Sequence, residues 1–179
     1  MRVAVMPDGS VEMASLQGFE TTPETRRLFR DGLGGFASGV TVVTAPTPDG
    51  GVGMTANFFS SVSLEPPLVL WCAAKSCARY ASFASAQHFA IHLLRADQQD
   101  VARAFAGSGM AFGGLTVDCN ASALPVFVDC LATLECETYQ LRDAGDHTII
   151  VGRVTSAAFR DGAPLIFSQG RFGQFDKNA

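Results

Sequence analysis

The chain has 179 residues, of which 47% are hydrophobic and only 17% charged, enough apolar material for one well-filled domain. A net charge of −4 and a pI near 5.3 speak against a nucleic-acid partner, which calls for clustered Lys and Arg; here only Arg26, Arg27 and Arg30 lie close together. No apolar run approaches the ~20 residues of a spanning helix, so no membrane partner is expected.

Residues 1–21 interleave Asp8, Gly9, Glu12 and Gln17 with apolar residues and read as a loose arm rather than a signal peptide, leaving 22–179 as the domain. Thr21-Thr22-Pro23-Glu24 has the chemistry of a helix start, and Leu28, Phe29, Leu33 and Phe36 follow at helical spacing up to Ser38-Gly39. Val40-Thr41-Val42-Val43-Thr44 is dense in β-branched residues and predicts a strand; turn residues from Pro46 to Gly51 predict a hairpin partner over 52–56. Leu68 to Ala73 is a continuously apolar strand, after which Ser76 can cap a short helix carrying Tyr80 and Phe83. Phe89 to Leu94 predicts another strand, and Asp97 the start of a helix over 98–105.

From Ala106 to Pro125 glycines break the pattern into a long loop. A strand over 131–141 follows, whose apolar set switches face and so predicts a bulge. A turn at 143–146, a strand over 147–154, a turn at Asp161-Gly162 and a short strand over 165–167 complete the chain, with Arg171-Phe172 close behind. Many strands and few helices predict a β-barrel dressed with helices. The low charged fraction predicts a surface covered by a second copy, hence a homodimer. Five cysteines without a C-x-x-C pair predict reduced thiols in a cytoplasmic protein, with no zinc framework and no metal site.

Composition stops at that point, but Gly53-Met54-Thr55-Ala56-Asn57-Phe58-Phe59-Ser60-Ser61-Val62-Ser63-Leu64-Glu65-Pro66-Pro67 goes further. This stretch resembles the signature of the short-chain flavin reductases. The likeness extends from about Arg27 to Phe172 and includes Gly145-Asp146-His147 and Pro164-Leu165-Ile166-Phe167. The resemblance implies a mainly β fold with helices: a six-stranded antiparallel split β-barrel of Greek-key type that binds FMN, or FAD. It also implies NADH (or NADPH) as the hydride source, a homodimer, and reduced flavin supplied to a separate flavin-dependent monooxygenase. A non-catalytic FMN-binding electron carrier or redox sensor is the alternative.

The residues themselves agree with that likeness. Isoalloxazine needs partners for its polar edge, and Thr55, Ala56 and Asn57, following Met54, leave a strand into a loop of small residues where backbone groups can approach a flat ring. Ser60, Ser61 and Val62 add hydroxyls and N–H groups. Lys75, Ser76 and Cys77, at the expected opening of a helix, suit a flavin phosphate, with Arg79 a weaker candidate. The likeness places His147 at the nicotinamide, where stacking of two rings matters more than acid–base work, and puts Phe112, Arg171 and Phe172 at the edge of the site. Two positions depart from the family pattern. His92 stands where Asn is frequent, and no basic residue precedes Phe112, which leaves the phosphate to Lys75, Ser76 and backbone amides.

Overall fold

The structure, a computed structural model, describes residues 4–5, 11–12, 18–119 and 123–175. Two compact units divide the chain at residue 35. In the first, β1 (Ala4–Val5) pairs with β2 (Val11–Glu12), and most of the rest of the expected arm lies outside the described residues. Helix α1 (Arg26–Gly34) begins later than Thr22-Pro23 suggests. The Thr25 hydroxyl donates to the Glu20 carbonyl at 2.6 Å and accepts the Thr22 N–H at 2.8 Å, so threonine closes a turn ahead of the helix instead of capping it. Leu28, Phe29 and Leu33 are exposed along α1.

The second unit runs β3 (Ser38–Gly39), β4 (Thr41–Ala45), β5 (Val52–Ala56), β6 (Phe59–Leu64), β7 (Pro67–Ala74), α2 (Tyr80–Ser85), β8 (His88–Leu93) and α3 (Gln99–Gly107). It continues with β9 (Val117–Cys119), β10 (Pro125–Phe127), β11 (Ala132–Ala144), β12 (His147–Phe159), β13 (Leu165–Ser168) and β14 (Arg171–Gln174). Seven strands form one antiparallel sheet in the order β5-β4-β8-β11-β12-β7-β6. Its two edges, β5 and β6, are consecutive in the chain and joined only by Asn57-Phe58. A three-stranded sheet, β14-β13-β3, and the β9–β10 pair complete the unit.

The mainly β architecture with few helices is as expected, but the expected count of six barrel strands is corrected. The sheet has seven strands, and its hydrogen bonding does not close into a ring. The segment after Asn57, expected to be a loop of small residues, is strand β6, whose ladder is supplied by β7. Likewise the expected loop over 106–125 contains β9, which is too short to leave a period of two in the sequence. The bulges expected in β11 are present, at Glu135/Cys136 and Thr138/Gln140.

All five residues of β4 are buried, which explains its unbroken β-branched run. Val43 and Ala45 join Trp71, Phe83, Phe89 and Ile150 in one core cluster, whereas Val40 and Val42 join Leu94, Ala102, Phe105 and Phe127 in another, beneath α3. Alternation along a strand thus feeds two cores. Gly53 makes the second one possible: a Cβ there would lie 2.4 Å from the Phe105 ring of α3.

Candidate functional site

Strand β5 presents its side chains to both cores, and this sorts the expected site residues. Met54 is buried in the first core, with its sulfur 3.6 Å from the Cys77 Sγ. The Thr55 hydroxyl turns the other way and donates to the Ala102 carbonyl of α3 at 2.6 Å, while the Ala56 carbonyl accepts from the Thr41 hydroxyl at 2.7 Å. Both groups are therefore committed to holding the corner in place. Asn57, half-buried, and Phe58, 56% exposed, then turn the chain into β6. On β6, Ser60, Ser61 and Val62 are exposed, and among the described residues the outer edge of this strand has no strand partner. A register shift between Ser61 and Ser63 frees backbone groups at Val62 as well.

The Phe58 ring packs edge-on against the His147 imidazole at 6.2 Å and 72°. Two motifs far apart in sequence, the Met54–Asn57 corner and the Gly145-Asp146-His147 turn, therefore meet in space. His147 is the first residue of β12 and pairs with Ala74 at the end of β7. Its Nδ1 lies 2.7 Å from the Asp146 carboxylate, which favours Nδ1–H as the protonated nitrogen and leaves Nε2 as the acceptor. The next residue, Thr148, is buried and hydrogen-bonded to the Tyr80 hydroxyl at 2.8 Å. Gly145, at φ +69°, supplies the left-handed position of the two-residue turn between β11 and β12.

Lys75, Ser76 and Cys77 lie between β7 and this corner, but the helix expected to open there does not. Turns run through Ala74–Cys77 and Cys77–Tyr80, and α2 starts at Tyr80 and is six residues long. The Cys77 and Tyr80 N–H groups are taken up by these turns, so the expected start of a helix at Lys75-Ser76 is corrected. The Lys75 ammonium donates to the Asp143 carboxylate and, at 2.7 Å, to the Gly145 carbonyl. That pairing holds the Asp143 carboxyl below its ordinary range. Arg79 donates to the carbonyls of Gly53 (3.0 Å), Phe105 (2.6 Å) and Ala106 (3.2 Å), tying the end of α3 to β5. Ser76 is exposed.

The remaining expected residues gather around α3. Phe112 packs edge-on against Phe105 at 5.1 Å. Phe172 packs against Phe167 at 5.3 Å and lies under the Arg103 guanidinium, whereas Arg171 is exposed. The structure thus joins Met54, Cys77, Lys75 and His147 in one group and links Thr55, through α3, to Phe112 and Phe172 in another. Sequence reasoning missed three participants in the first group, Phe58, Asp143 and Asp146. The acidic pair flanking Gly145 was the available signal. A cavity of about 930 Å³, lined by Thr47, Asp49, Ser85 and His88 among others, includes none of the expected site residues. Burial raises the Cys72 and Cys130 thiols and pushes Cys136 up to about 12, so none of these three is a thiolate at neutral pH.

The structure defines a mainly antiparallel domain in which an exposed serine-bearing edge strand lies near a His-bearing turn, and comparison with known proteins gives the family. Residues 33–176 match the family described as flavin reductase like domain, and the chain belongs to it. It is 51% identical over 168 residues to the FMN reductase (NADH) SmoA of Agrobacterium fabrum, covering 94% of this chain and 97% of that protein. It is 45% identical over 138 residues to the reductase component of the flavin-dependent trigonelline monooxygenase of Acinetobacter baylyi, covering 74% of this chain but 44% of that longer protein. Among solved structures, the NADH:FAD oxidoreductase SgcE6 of Streptomyces globisporus, in complex with NAD and FAD fragments, superposes with a TM-score of 0.83 at 36% identity, covering 90% of this chain and 99% of that one. Among the described residues no helix is long and apolar enough to cross a membrane, and no three His, Cys, Asp or Glu side chains converge as a metal ion requires.

Proposed function

We propose that this chain is an NADH-dependent flavin reductase that passes hydride from NADH to free FMN and releases reduced flavin to a separate monooxygenase. The observation that carries this reading is the contact between Phe58 and His147, which sets the flavin-type corner against the nicotinamide-type turn. The full-length likeness to an NADH-dependent FMN reductase supports FMN and NADH ahead of FAD and NADPH. The likeness to a monooxygenase reductase component supports the oxygenase partner.

The residues fit a flavin. An isoalloxazine edge requires donors and acceptors on an open, flat surface, and the unpaired edge of β6 with Ser60, Ser61 and the bulged Val62 provides them beside Asn57. The exposed Ser76 faces the phosphate-bearing tail in this reading. Bound flavin supplies the two-electron acceptor; the protein's work is to hold two rings in register and exclude water. The His147 Nε2, left as an acceptor, takes an N–H of the nicotinamide carboxamide and so fixes the ring's orientation. Phe112, Arg171 and Phe172 border the site from the α3 side.

The split barrel expected from the sequence corresponds to the sheet whose edges β5 and β6 are joined at Asn57-Phe58. Phe58, Val62 and Leu64 on this edge are 56%, 51% and 95% exposed, and an apolar border of that kind beside a polar site suits burial by a second copy, as a homodimer. Free cysteines fit a cytoplasmic location.

The test is turnover of NADH with catalytic and with excess FMN. Continued oxidation that scales with free flavin supports the reductase. Oxidation of one equivalent or less per protein sinks it in favour of a carrier.

A further inference from the structure

The turn that carries His147 is tied to Lys75 through both its backbone and its side chain. Lys75 donates three hydrogen bonds to it: its backbone N–H to the Asp146 carbonyl at 2.9 Å, and its ammonium to the Gly145 carbonyl and the Asp143 carboxylate. Asp146, whose carbonyl is fixed in this way, is the residue whose carboxylate holds the His147 Nδ1. On the far side, Thr148 is anchored by Tyr80. The turn has two residues, one of them glycine, so it has little rigidity of its own.

On the reading of the chain as a flavin reductase, we propose that Lys75, paired with Asp143, is a positioning residue for the nicotinamide: it fixes the turn that aims His147, and is not spent on the flavin phosphate. The ammonium's charge is already met by Asp143, and two of its three donors point into the turn. The pair is partly exposed, with side-chain exposures of 33% and 80%, and ion pairs of this kind add little to folding stability. Its effect therefore falls on placement of His147 and not on the melting temperature.

Lys75→Met, Asp143→Asn, the double variant and Lys75→Arg test this by steady-state kinetics, thermal melting and the imidazole proton resonances of the unliganded protein. The His147 signal is assigned by its loss in His147→Ala. Each single change is expected to raise KM for NADH about three- to fivefold, the scale of one exposed ion pair, with the double variant no worse. KM for FMN and the melting temperature stay at the parent values, Lys75→Arg restores the parent KM, and the His147 resonance shifts and broadens while that of His92 does not. A rise in KM for FMN with KM for NADH unchanged overturns the proposal and gives the ammonium to the flavin phosphate. Unchanged KM values with an unmoved His147 resonance overturn it too. Absence of NADH-driven flavin reduction in the unmodified protein is a separate failure: it removes the reductase reading, and the His147 resonance alone then decides whether Lys75 fixes the turn.

Discussion

Acidification probes the second core through His92. Its imidazole is fully buried, its Nδ1 donates to the Val42 carbonyl at 3.0 Å, and its ring stacks on Phe127 at 4.1 Å. Its Nε2 has no hydrogen-bond partner among the described residues, so a proton arriving there meets no acceptor. Burial therefore pushes its pKa from 6.5 down to about 4, with the bond to Val42 opposing in part. Above pH 6.5 the folded and unfolded chains are both neutral at this position and stability does not depend on it. As the pH falls from 6.5 towards 4, the unfolded chain binds a proton that the folded one refuses, and stability drops by about 1.4 kcal/mol per pH unit. Integrated from pH 7 to pH 5 the loss is about 2 kcal/mol, and it levels off near 3 kcal/mol below pH 4. Urea unfolding at a series of pH values, for the protein and for His92→Asn, measures it. Asparagine keeps an N–H for the Val42 carbonyl but does not titrate; it forfeits the Phe127 contact equally at every pH. The gap in stability between the two proteins should narrow by about 2 kcal/mol between pH 7 and pH 5. Parallel curves across that range would refute the burial argument.

Gly53→Ala places a methyl 2.4 Å from the Phe105 ring and should cost about 1–3 kcal/mol in urea unfolding as α3 is pushed off β5. Arg79→Met leaves the carbonyls of Gly53, Phe105 and Ala106 without their donor; a loss of about 2–3 kcal/mol is expected, with faster amide exchange confined to the end of α3 and the loop after it. His147→Ala should raise KM for NADH while leaving FMN binding in place, and unchanged kinetics for the nicotinamide would remove His147 from the site.

Local chemistry in the sequence was sufficient for most of the strands, whereas the flavin reading of the Met54–Asn57 corner needed the likeness of the whole stretch to the flavin reductases. β-Branched density marked β4, unbroken apolarity marked β7, and a change of apolar face marked the bulges of β11, because each of these is a property of neighbouring residues. The same reasoning could not find β6, where Ser60, Ser61 and Ser63 are made into a strand by their pairing with β7, nor the short β9. It placed the start of α2 too early because Ser76 has the chemistry of a cap, and the turns that occupy its neighbourhood depend on Ala74 and Cys77 together.

The candidate site divides along the same line. Asn57, Ser60, Ser61 and His147 read by themselves as turn and strand-end residues; their suggested places at a flavin edge and a nicotinamide corner came from the likeness of the longer stretch to the flavin reductases. That Phe58 meets His147, that Lys75 binds the turn at Asp143 and Gly145, and that Thr55 spends its hydroxyl on α3 were decided only by the tertiary structure. Those contacts join segments distant in the chain, and a sheet whose two edge strands are consecutive in sequence is what brings them within reach.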